Sequence, residues 1–351
     1  MTRRTVTPVK LGSLTFGTGP IYIQSMLNVP STDISGSVAQ AVALEEAGCE
    51  IIRAAIPNQE AVALIPAIKD KVKAPLVADI HFDYRLALEA LEAGVDKIRI
   101  NPGNIGDEDR IHAVAKACAN RNVPIRIGVN GGSLEKHILA KYGAPTADAL
   151  VESGLYNAKL LEKFDFHQIV ISLKSSNVQT MIEAYRKLAA CCDYPLHLGV
   201  TEAGTERMGL IKSAVGIGSL LADGIGDTIR VSLTADPVRE VAVARDILKA
   251  LDLCPDAPQI ISCPTCGRTR INLIELANQV EERLASVKKP IRVAVMGCAV
   301  NGPGEAREAD LGIAGGKGVG LLIRKGEVVK KVPEGELLQA LREELLKLQK
   351  N

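Results

Sequence analysis

Roughly the first 250 residues of the chain alternate eight short β-branched segments with alanine-rich stretches, and this alternation limits the possible folds more than any other feature. Apolar residues in the intervening stretches recur at helical spacing, and several stretches end in Gly or Pro just before the next segment. Eight βα units in about 250 residues predict an α/β fold, a (β/α)8 barrel of the TIM type. The predicted strands are residues 21–26, 50–55, 76–81, 97–101, 124–129, 168–173, 195–200 and 228–233.

An open, doubly wound parallel sheet is the alternative for such an alternation. Its usual mark is a glycine-rich turn after the first strand, where backbone amides contact a phosphate. The corresponding turn here is Asn28-Val29-Pro30-Ser31, which contains no glycine. The barrel is therefore the favoured fold.

Composition and charge narrow the class of protein. Forty-two basic residues against 41 acidic ones give a net charge of +1, and aromatic residues make up only 3%. We therefore expect no nucleic-acid partner, which would need a basic stripe with stacking aromatics. No apolar run reaches the length of a membrane helix and none follows Arg3 and Arg4 as an export signal, so we expect a cytoplasmic location. Eight cysteines in such a chain indicate reduced thiols or metal ligands.

A second, smaller domain is predicted after the barrel. The alternation ends near residue 252 in a proline-containing linker, which predicts a substrate-binding barrel over 1–253 and an α+β domain over 259–351. The elements predicted in this domain are a helix after Cys263-Pro264-Thr265-Cys266, an apolar strand over 291–296, a hairpin around Lys325-Gly326 and an amphipathic C-terminal helix.

Charged side chains recur at the predicted strand ends, where a TIM-type barrel places its active site. Four strands carry an arginine between apolar neighbours, as in Ile98-Arg99-Ile100, and a lysine follows a fifth strand. A buried guanidinium is costly unless an anion meets it, and its forked donors suit the oxygens of a diphosphate. We therefore expect a doubly phosphorylated small substrate. The candidate substrate-binding residues are Arg53, Arg99, Asn101, Arg126, Asn130, Ser172, Lys174, His197, Arg230 and Ser232.

Carboxylates and histidines near the same strand ends are candidates for moving protons. Glu202, in the loop after the seventh strand, has the best position for an acid, and Asp79 and His81 are further candidates. A structural role stays open for each of these groups. The arginines would then pair with Asp79, Glu202 or other carboxylates, and each histidine would be a hydrogen-bonded pocket residue.

Three cysteines form the sharpest motif of the second domain. Cys263 and Cys266 are separated by two residues, and Cys298 lies in a glycine-bounded loop. Two thiolates at this spacing bind one metal centre, and a distant third closes on it. A structural zinc needs four ligands, usually thiolate or imidazole, and all five histidines precede residue 198. This favours an iron–sulfur cluster with one differently ligated iron, for which Glu305 is the natural oxygen ligand.

The same residues also permit a different class of function. The second domain would then be a structural zinc module, with Cys254 or a carboxylate as the fourth ligand. The barrel would bind phosphate and perform aldolase or isomerase chemistry.

Three motifs carry a resemblance to a known family. They are Cys-Pro-Thr-Cys-Gly-Arg at 263–268, Gly-Cys-Ala-Val-Asn-Gly-Pro-Gly-Glu at 297–305 and, in support, Pro-Leu-His-Leu-Gly-Val-Thr-Glu-Ala at 195–203. With them the chain resembles, over essentially its whole length, the 4-hydroxy-3-methylbut-2-en-1-yl diphosphate synthases in their two-domain bacterial form.

The resemblance implies a [4Fe–4S] cluster held by Cys263, Cys266, Cys298 and Glu305. It implies the reductive ring opening of 2-C-methyl-D-erythritol 2,4-cyclodiphosphate in the methylerythritol phosphate route to isoprenoids, in which two electrons enter and a hydroxyl leaves as water. It also implies a homodimer whose active site lies between the barrel of one subunit and the cluster domain of the other. The electron donor would be flavodoxin or ferredoxin.

Overall fold

The computed structural model describes residues 2–101, 105–285, 287, 289–298 and 302–350. The chain divides into two units, Met1–Leu253 and Cys254–Asn351. Every helix in the described residues is too short or too polar to span a lipid bilayer.

Eight parallel strands of the first unit form a barrel. An antiparallel hairpin of β1 (Val9–Leu11) and β2 (Leu14–Phe16) precedes them. The barrel strands are β3 (Tyr22–Met26), β4 (Ile51–Ala55), β5 (Leu76–Asp79), β6 (Lys97–Ile100), β7 (Ile125–Asn130), β8 (Ile169–Lys174), β9 (His197–Leu198) and β10 (Thr228–Ile229). Strands that are neighbours in the sheet are neighbours in the chain, except that β10 returns to pair with β3. A parallel bridge between Ile171 and Leu196 joins β8 to the residue before β9, so the barrel is nearly closed and the predicted fold is confirmed.

Helices connect the successive barrel strands. Several begin at a side-chain cap, such as Asp33, which accepts from the Gly36 amide, and Asn177, which accepts from the Thr180 amide. These caps satisfy amides that the first helical turn leaves without a partner. The helices are α1 (Ile34–Glu46), α2 (Leu64–Lys69), α3 (Tyr84–Glu92), α4 (Glu108–Arg121), α5 (Lys136–Tyr142), α6 (Ala147–Glu162), α7 (Val178–Cys191), α8 (Glu206–Ala222) and α9 (Pro237–Ala250).

The β1–β2 hairpin closes one end of the barrel. Phe16 is fully buried, and its ring centroid lies 4.8 Å from Lys97 Nζ, which points down from β6. Because the hairpin packs on the residues that begin the barrel strands, it forms a floor opposite the predicted active site. The buried floor cluster consists of Val9, Leu11, Phe16, Tyr22, Ile51, Val77 and Val170.

The second unit is built on a five-stranded mixed sheet. Its first three strands run parallel, and the last three form an antiparallel meander. The strands are β11 (Gln259–Ser262), β12 (Arg292–Met296), β13 (Leu311–Gly315), β14 (Val319–Arg324) and β15 (Glu327–Pro333). The helices are α10 (Leu273–Leu284), α11 (Gly302–Glu305) and α12 (Leu337–Lys350).

The predicted elements of the second unit are confirmed, and two strands were not predicted. The β14–β15 hairpin turns at Lys325 and Gly326, both at positive φ as such a turn requires. The strands missed by the sequence analysis are β11 and β13. In β13 the glycines hide the strand signal, yet Gly312 is required there because a Cβ would lie 2.9 Å from the Ala306 Cβ.

We expect Phe16→Ala to lower the free energy of unfolding by about 3–5 kcal/mol, because it removes a fully buried ring from the barrel floor. Urea unfolding followed by circular dichroism measures the change. The matched control is Phe82→Ala, since that ring is 74% exposed and its loss should change stability by less than ~0.5 kcal/mol. Equal losses in the two variants would contradict the floor assignment.

Candidate active site

Strand register places the predicted arginines on the inner face of the barrel. Asp79 is the register partner of Arg99, and Arg99 is the register partner of Arg126. Register partners on neighbouring strands point to the same face of a sheet. Arg53, Arg99 and Arg126 are only 6%, 3% and 1% exposed, so their charges lie inside the barrel.

Asp79 is the hub of the inner face. Its carboxylate accepts from Arg53 Nη2 at 2.6 Å and from Arg99 Nη1 at 3.1 Å, and His81 Nε2 lies 3.0 Å away. Burial alone raises the pKa of the Asp79 carboxyl, but the guanidinium of Arg53, the hydrogen bond of His81 and the charge of Arg99 hold that pKa well below its usual range. Asp79 is therefore ionised and fixes the positions of two arginines.

A glycine of β7 makes room for Arg99. Arg99 Nη2 donates to the Gly128 carbonyl at 3.1 Å, and a Cβ at Gly128 would lie 2.3 Å from Arg99 Nε. Only glycine at this inward position lets the guanidinium cross the strand.

Arg126 and Lys174 are buried cations without a carboxylate partner in the described part of the chain. Arg126 Nη1 donates to Ser172 Oγ at 3.0 Å, while its Nε and Nη2 have no hydrogen-bond partner among the described residues. Burial, together with the charges of Arg230 and Arg53, holds the pKa of Lys174 well below its usual range. These two side chains therefore favour an anionic ligand.

Arg230 has a partner that the sequence analysis missed. Its Nε lies 3.5 Å from Glu240 Oε2 on α9, and the same oxygen accepts from Ser25 Oγ at 2.9 Å. The sequence does contain a signal for this partner, because a glutamate lies on the apolar face of a helix, beside Val241 and Ala244. Glu240 anchors Arg230 from outside the strand layer.

A polar cavity of about 480 Å³ opens at the carboxyl ends of β7, β8 and β9. The side chains of Asn130, Lys174 and Glu202 line it, so the structure brings these predicted residues together. Asn101 reaches its rim by donating to Ser133 Oγ at 2.7 Å. The half-buried Ser232 follows β10. The cavity suits a small polar ligand.

Glu202 stands at the cavity in an unusual backbone conformation. Its φ is +51°, and its side chain is exposed. Positive φ in a residue with a side chain costs energy and occurs preferentially at functional sites. Just before it, Gly199 lets β9 approach β10, since a Cβ there would lie 2.7 Å from the Arg230 carbonyl oxygen.

The structure places His197 below the cavity, not at its rim. The side chain is fully buried, and Nδ1 lies 2.8 Å from Thr228 Oγ1. Burial and the charges of Arg126 and Lys174 hold the pKa of His197 well below its usual range, so the ring is neutral. Its contact with substrate stays a prediction. Lys97 lies at similar depth and was missed, although the alternation Lys97-Ile98-Arg99 places it on the inner face with Arg99.

The cysteine loops of the second unit follow neighbouring parallel strands. Cys263 comes directly after β11, and Cys298 follows β12 with one residue, Gly297, between them. The Gly297 amide donates to Cys263 Sγ at 3.2 Å, so the two loops are in contact. Cys266 is exposed, and hydrogen bonds from the backbone and side chain of Arg268 lower the pKa of its thiol.

The structure describes only part of the motif that contains Cys298 and Glu305. Glu305 ends the short helix α11 and is exposed, and motif residues 299–301 lie outside the described residues. Among the residues that are described, no three His, Cys, Asp or Glu side chains form a group that could hold a metal ion. The structure thus brings the Cys263 and Cys298 loops together but does not assemble the four predicted ligands.

The donor chemistry nevertheless fits an iron–sulfur cluster. Three cysteines lie at the carboxyl edge of a parallel strand pair, and an amide already donates to one sulfur, as protein amides commonly do to cluster sulfurs. A Cβ at position 297 would lie 3.0 Å from side-chain atoms of Leu273 and Thr269, so glycine there lets these side chains pack closely without shifting.

Solved structures show the barrel fold. A dihydropteroate synthase from Xanthomonas albilineans has a TM-score of 0.51 at 17% identity, covering 70% of this chain and 97% of that one. That from Burkholderia cenocepacia has a TM-score of 0.51 at 15% identity, covering 71% of this chain and 99% of that one. At such identities the likeness concerns the fold alone.

Family models match both units of the chain. The GcpE TIM-barrel domain matches residues 6–245, and the GcpE protein C-terminal domain matches residues 259–347. The 4-hydroxy-3-methylbut-2-en-1-yl diphosphate synthase (flavodoxin) of Clostridium perfringens is 60% identical over 97% of this chain and 98% of that protein. The protein of the same description from Fusobacterium nucleatum is 59% identical over 95% of each chain. Membership of the family that these two models describe implies an iron–sulfur enzyme. The chain belongs to the GcpE family of 4-hydroxy-3-methylbut-2-en-1-yl diphosphate synthases.

Proposed function

We propose that the chain opens the ring of 2-C-methyl-D-erythritol 2,4-cyclodiphosphate to 4-hydroxy-3-methylbut-2-en-1-yl diphosphate in isoprenoid biosynthesis. The reaction takes up two electrons and releases one hydroxyl of the substrate as water. The observation that carries the proposal is the buried cationic face of the barrel, in which Arg126 and Lys174 have no carboxylate partner among the described residues. The family relatives named for the same product support it.

The substrate diphosphate is bound by the inner cationic face. Arg126 and Lys174 supply the free donors, while Arg53 and Arg99 are held in place by Asp79. Guanidinium groups donate two parallel hydrogen bonds to phosphate oxygens, so a rigid set of them recognises the diphosphate by shape and by charge. Preorganised donors also need no rearrangement when the substrate binds. Asn101, Asn130, Ser172, Arg230 and Ser232 complete the proposed binding set.

Glu202 is the proposed acid for the departing hydroxyl. It lines the cavity beside Lys174, and its exposed carboxyl can take a new proton from solvent after each turnover. Asp79 is a poor donor because its two arginine partners keep it ionised. His81, which is within hydrogen-bond distance of Asp79, orients the substrate or relays a proton at the rim of the barrel.

The proposed cofactor is a [4Fe–4S] cluster held by Cys263, Cys266, Cys298 and Glu305 in the unit that covers residues 259–351. When bound, it supplies single electrons to the substrate and one iron with Lewis-acid character. The Gly297 amide stabilises the Cys263 thiolate by its hydrogen bond. Carboxylate is a weaker iron ligand than thiolate, so Glu305 is the ligand that exchanges most readily.

We further propose a homodimer in which the barrel of one subunit and the cluster domain of the other complete the active site. The diphosphate-binding cations and Glu202 lie in the barrel unit, whereas all three cysteine ligands lie in the other unit, so the reaction requires the two to meet. The proposed electron donor is flavodoxin, as in the names of the relatives, or ferredoxin. Reduced cysteine ligands suit a cytoplasmic location.

The zinc-module alternative is not favoured. Its barrel would perform aldolase or isomerase chemistry, whereas the relatives that match nearly the whole chain are synthases of an allylic diphosphate. The donor set of three cysteines and a carboxylate also lacks the imidazole that structural zinc sites commonly recruit.

Cys298→Ser should remove most of the iron and sulfide from anaerobically purified protein, because serine is a poor ligand for cluster iron. The unchanged protein should be brown, with broad absorption near ~400 nm and about four irons per chain. Cys191→Ser, which changes an exposed cysteine of the barrel, is the control and should keep the cluster. A colourless protein that contains zinc would contradict the proposed function and favour the zinc-module alternative.

Glu202→Gln should lower kcat for the cyclodiphosphate by about 10²–10⁴-fold with the absorption of the cluster unchanged, because the amide cannot donate the proton. Anaerobic turnover of the cyclodiphosphate with an artificial reductant measures kcat. Glu46→Gln, at the exposed end of α1, should have no effect. Full activity of the Glu202 variant would assign the acid role elsewhere.

Arg126→Met should raise KM for the cyclodiphosphate by at least about tenfold, since a charged hydrogen bond is lost while the side-chain volume is kept. Arg121→Met changes an exposed arginine at the end of α4 and serves as the control. Circular dichroism establishes that both variants fold. A KM equal to that of the unchanged enzyme would reject the cationic face as the binding site.

A further inference from the structure

The second unit exposes two apolar surfaces. In its described residues, six large apolar side chains are more than one third exposed: Ile261, Ile274, Val319, Val328, Val329 and Leu346. Two of them lie beside the first cysteine loop, and three lie on the β14–β15 hairpin. Single exposed apolar residues are ordinary, but a group of them on one surface marks a site of interaction.

The valine face of the hairpin consists of Val319, Val328 and Val329, which are 44%, 51% and 50% exposed. Val328 is the register partner of Ile323, and Val319 lies four residues before Ile323 on the same strand. Both therefore point to the side of the sheet that Ile323 faces. Val329 is the extra residue of the β-bulge beside them.

The valine face continues the side of the sheet next to the proposed ligand Glu305. Ile323 packs in one buried cluster with Ala306 and Ala309, and Ala306 directly follows Glu305 in the chain. The opposite side of the sheet is covered by α10 and α12, which pack on residues such as Leu322. A protein bound on the valine face therefore lies close to the segment proposed to hold the cluster.

Positive charge surrounds the valine face. Lys331 is the register partner of Leu321 and so points to the same side, Lys317 lies in the turn before β14, and Arg307 follows α11. All three side chains are exposed, and none of them has an ion pair among the described residues. Glu308 adds one negative charge beside Arg307, so the excess charge of this surface stays positive.

The other apolar surface of this unit is acidic. Ile274 lies on α10, a helix with three glutamates and one arginine. Ile274 and Glu281 line a cavity of about 300 Å³ together with Cys263. An acidic partner would be repelled there and attracted to the valine face, so charge distinguishes two surfaces that are both close to the sulfur ligands.

We propose that the valine face, with Arg307, Lys317 and Lys331 around it, is the docking surface for the flavodoxin electron donor. A flavodoxin is a small acidic protein that presents the apolar edge of its flavin, which complements an apolar surface surrounded by cations. The inference rests on the proposed function for the identity of the partner, and it assigns that partner a place on this chain.

The size and charge of the surface suit a short-lived electron-transfer complex. Such complexes bury less than about 1,200 Å² in total, and opposite charges speed their formation more than they strengthen it. Each encounter oxidises one reduced flavodoxin by one electron, so two encounters supply the two electrons that the ring opening takes up. Rapid release after each transfer is therefore an advantage.

The double variant Lys317→Glu/Lys331→Glu of the anaerobically purified full chain tests the docking surface. Titration calorimetry with a purified, oxidised bacterial flavodoxin at low salt should show a Kd raised at least about tenfold, because two attractions become repulsions. Added salt should weaken binding of the unchanged protein more than that of the variant. The matched control is Lys10→Glu/Lys116→Glu, which reverses two exposed lysines of the barrel unit and should leave the Kd unchanged.

Turnover of the cyclodiphosphate separates docking from chemistry. The KM for reduced flavodoxin should rise in the double variant, whereas turnover with a small artificial reductant should stay the same, since a small molecule needs no docking surface. Circular dichroism and the absorption of the cluster establish that the variant is intact. Lys331→Gln, which removes a single charge, gives the same comparison with a smaller effect if the double variant does not fold.

An unchanged Kd together with an unchanged KM for flavodoxin would overturn the inference. A double variant that becomes monomeric on size-exclusion chromatography would also overturn it, because a second copy of the chain would then cover the valine face. Turnover by the unchanged enzyme with the artificial reductant but without binding of flavodoxin would reject the docking surface alone. Absence of turnover with either reductant would reject the proposed function.

Discussion

Uncompensated positive charge inside the barrel is the constraint on which the rest of the site depends. Two of the strand-end arginines share Asp79 and a third faces Glu240, but Arg126 and Lys174 have no such partner in the described residues. Burying a cation without an anion is among the costliest arrangements a protein can retain. The proposed binding of a diphosphate gives a functional reason to retain it.

Asp79 shows how the barrel keeps this charge ordered. One carboxylate bonded to two guanidinium groups and a histidine holds them at fixed angles, so the free donors do not have to reorganise around the ligand. The same contacts make Asp79 unsuitable for proton transfer, so the proposed acid is the exposed Glu202. The proposed function therefore gives the ordering of the cations to Asp79 and the transfer of the proton to Glu202, because the surroundings of the two carboxylates differ.

The proposed anion-binding side chains and the proposed sulfur ligands lie in different units of the chain. Cys263 and Cys298 follow adjacent parallel strands, where loops converge at one edge of a sheet, and the Gly297 amide already contacts one sulfur. Parallel strands have the same consequence in the barrel, where the carboxyl ends of β7, β8 and β9 converge on one cavity. In both units parallel pairing brings distant loops together at the carboxyl ends of the strands, where the two proposed sites lie.

The sequence by itself determined the barrel, the cationic strand ends and the cysteine motif, because period, strand punctuation and ligand spacing are local properties. It did not reveal Glu240 as the partner of Arg230 or the depth of His197, since each depends on which face of a strand or helix meets which neighbour. Likewise, β13 was hidden because its glycines serve close packing against Ala306 and not local strand preference. Only tertiary structure decided which buried charges are paired, because pairing is a contact between residues far apart in the chain.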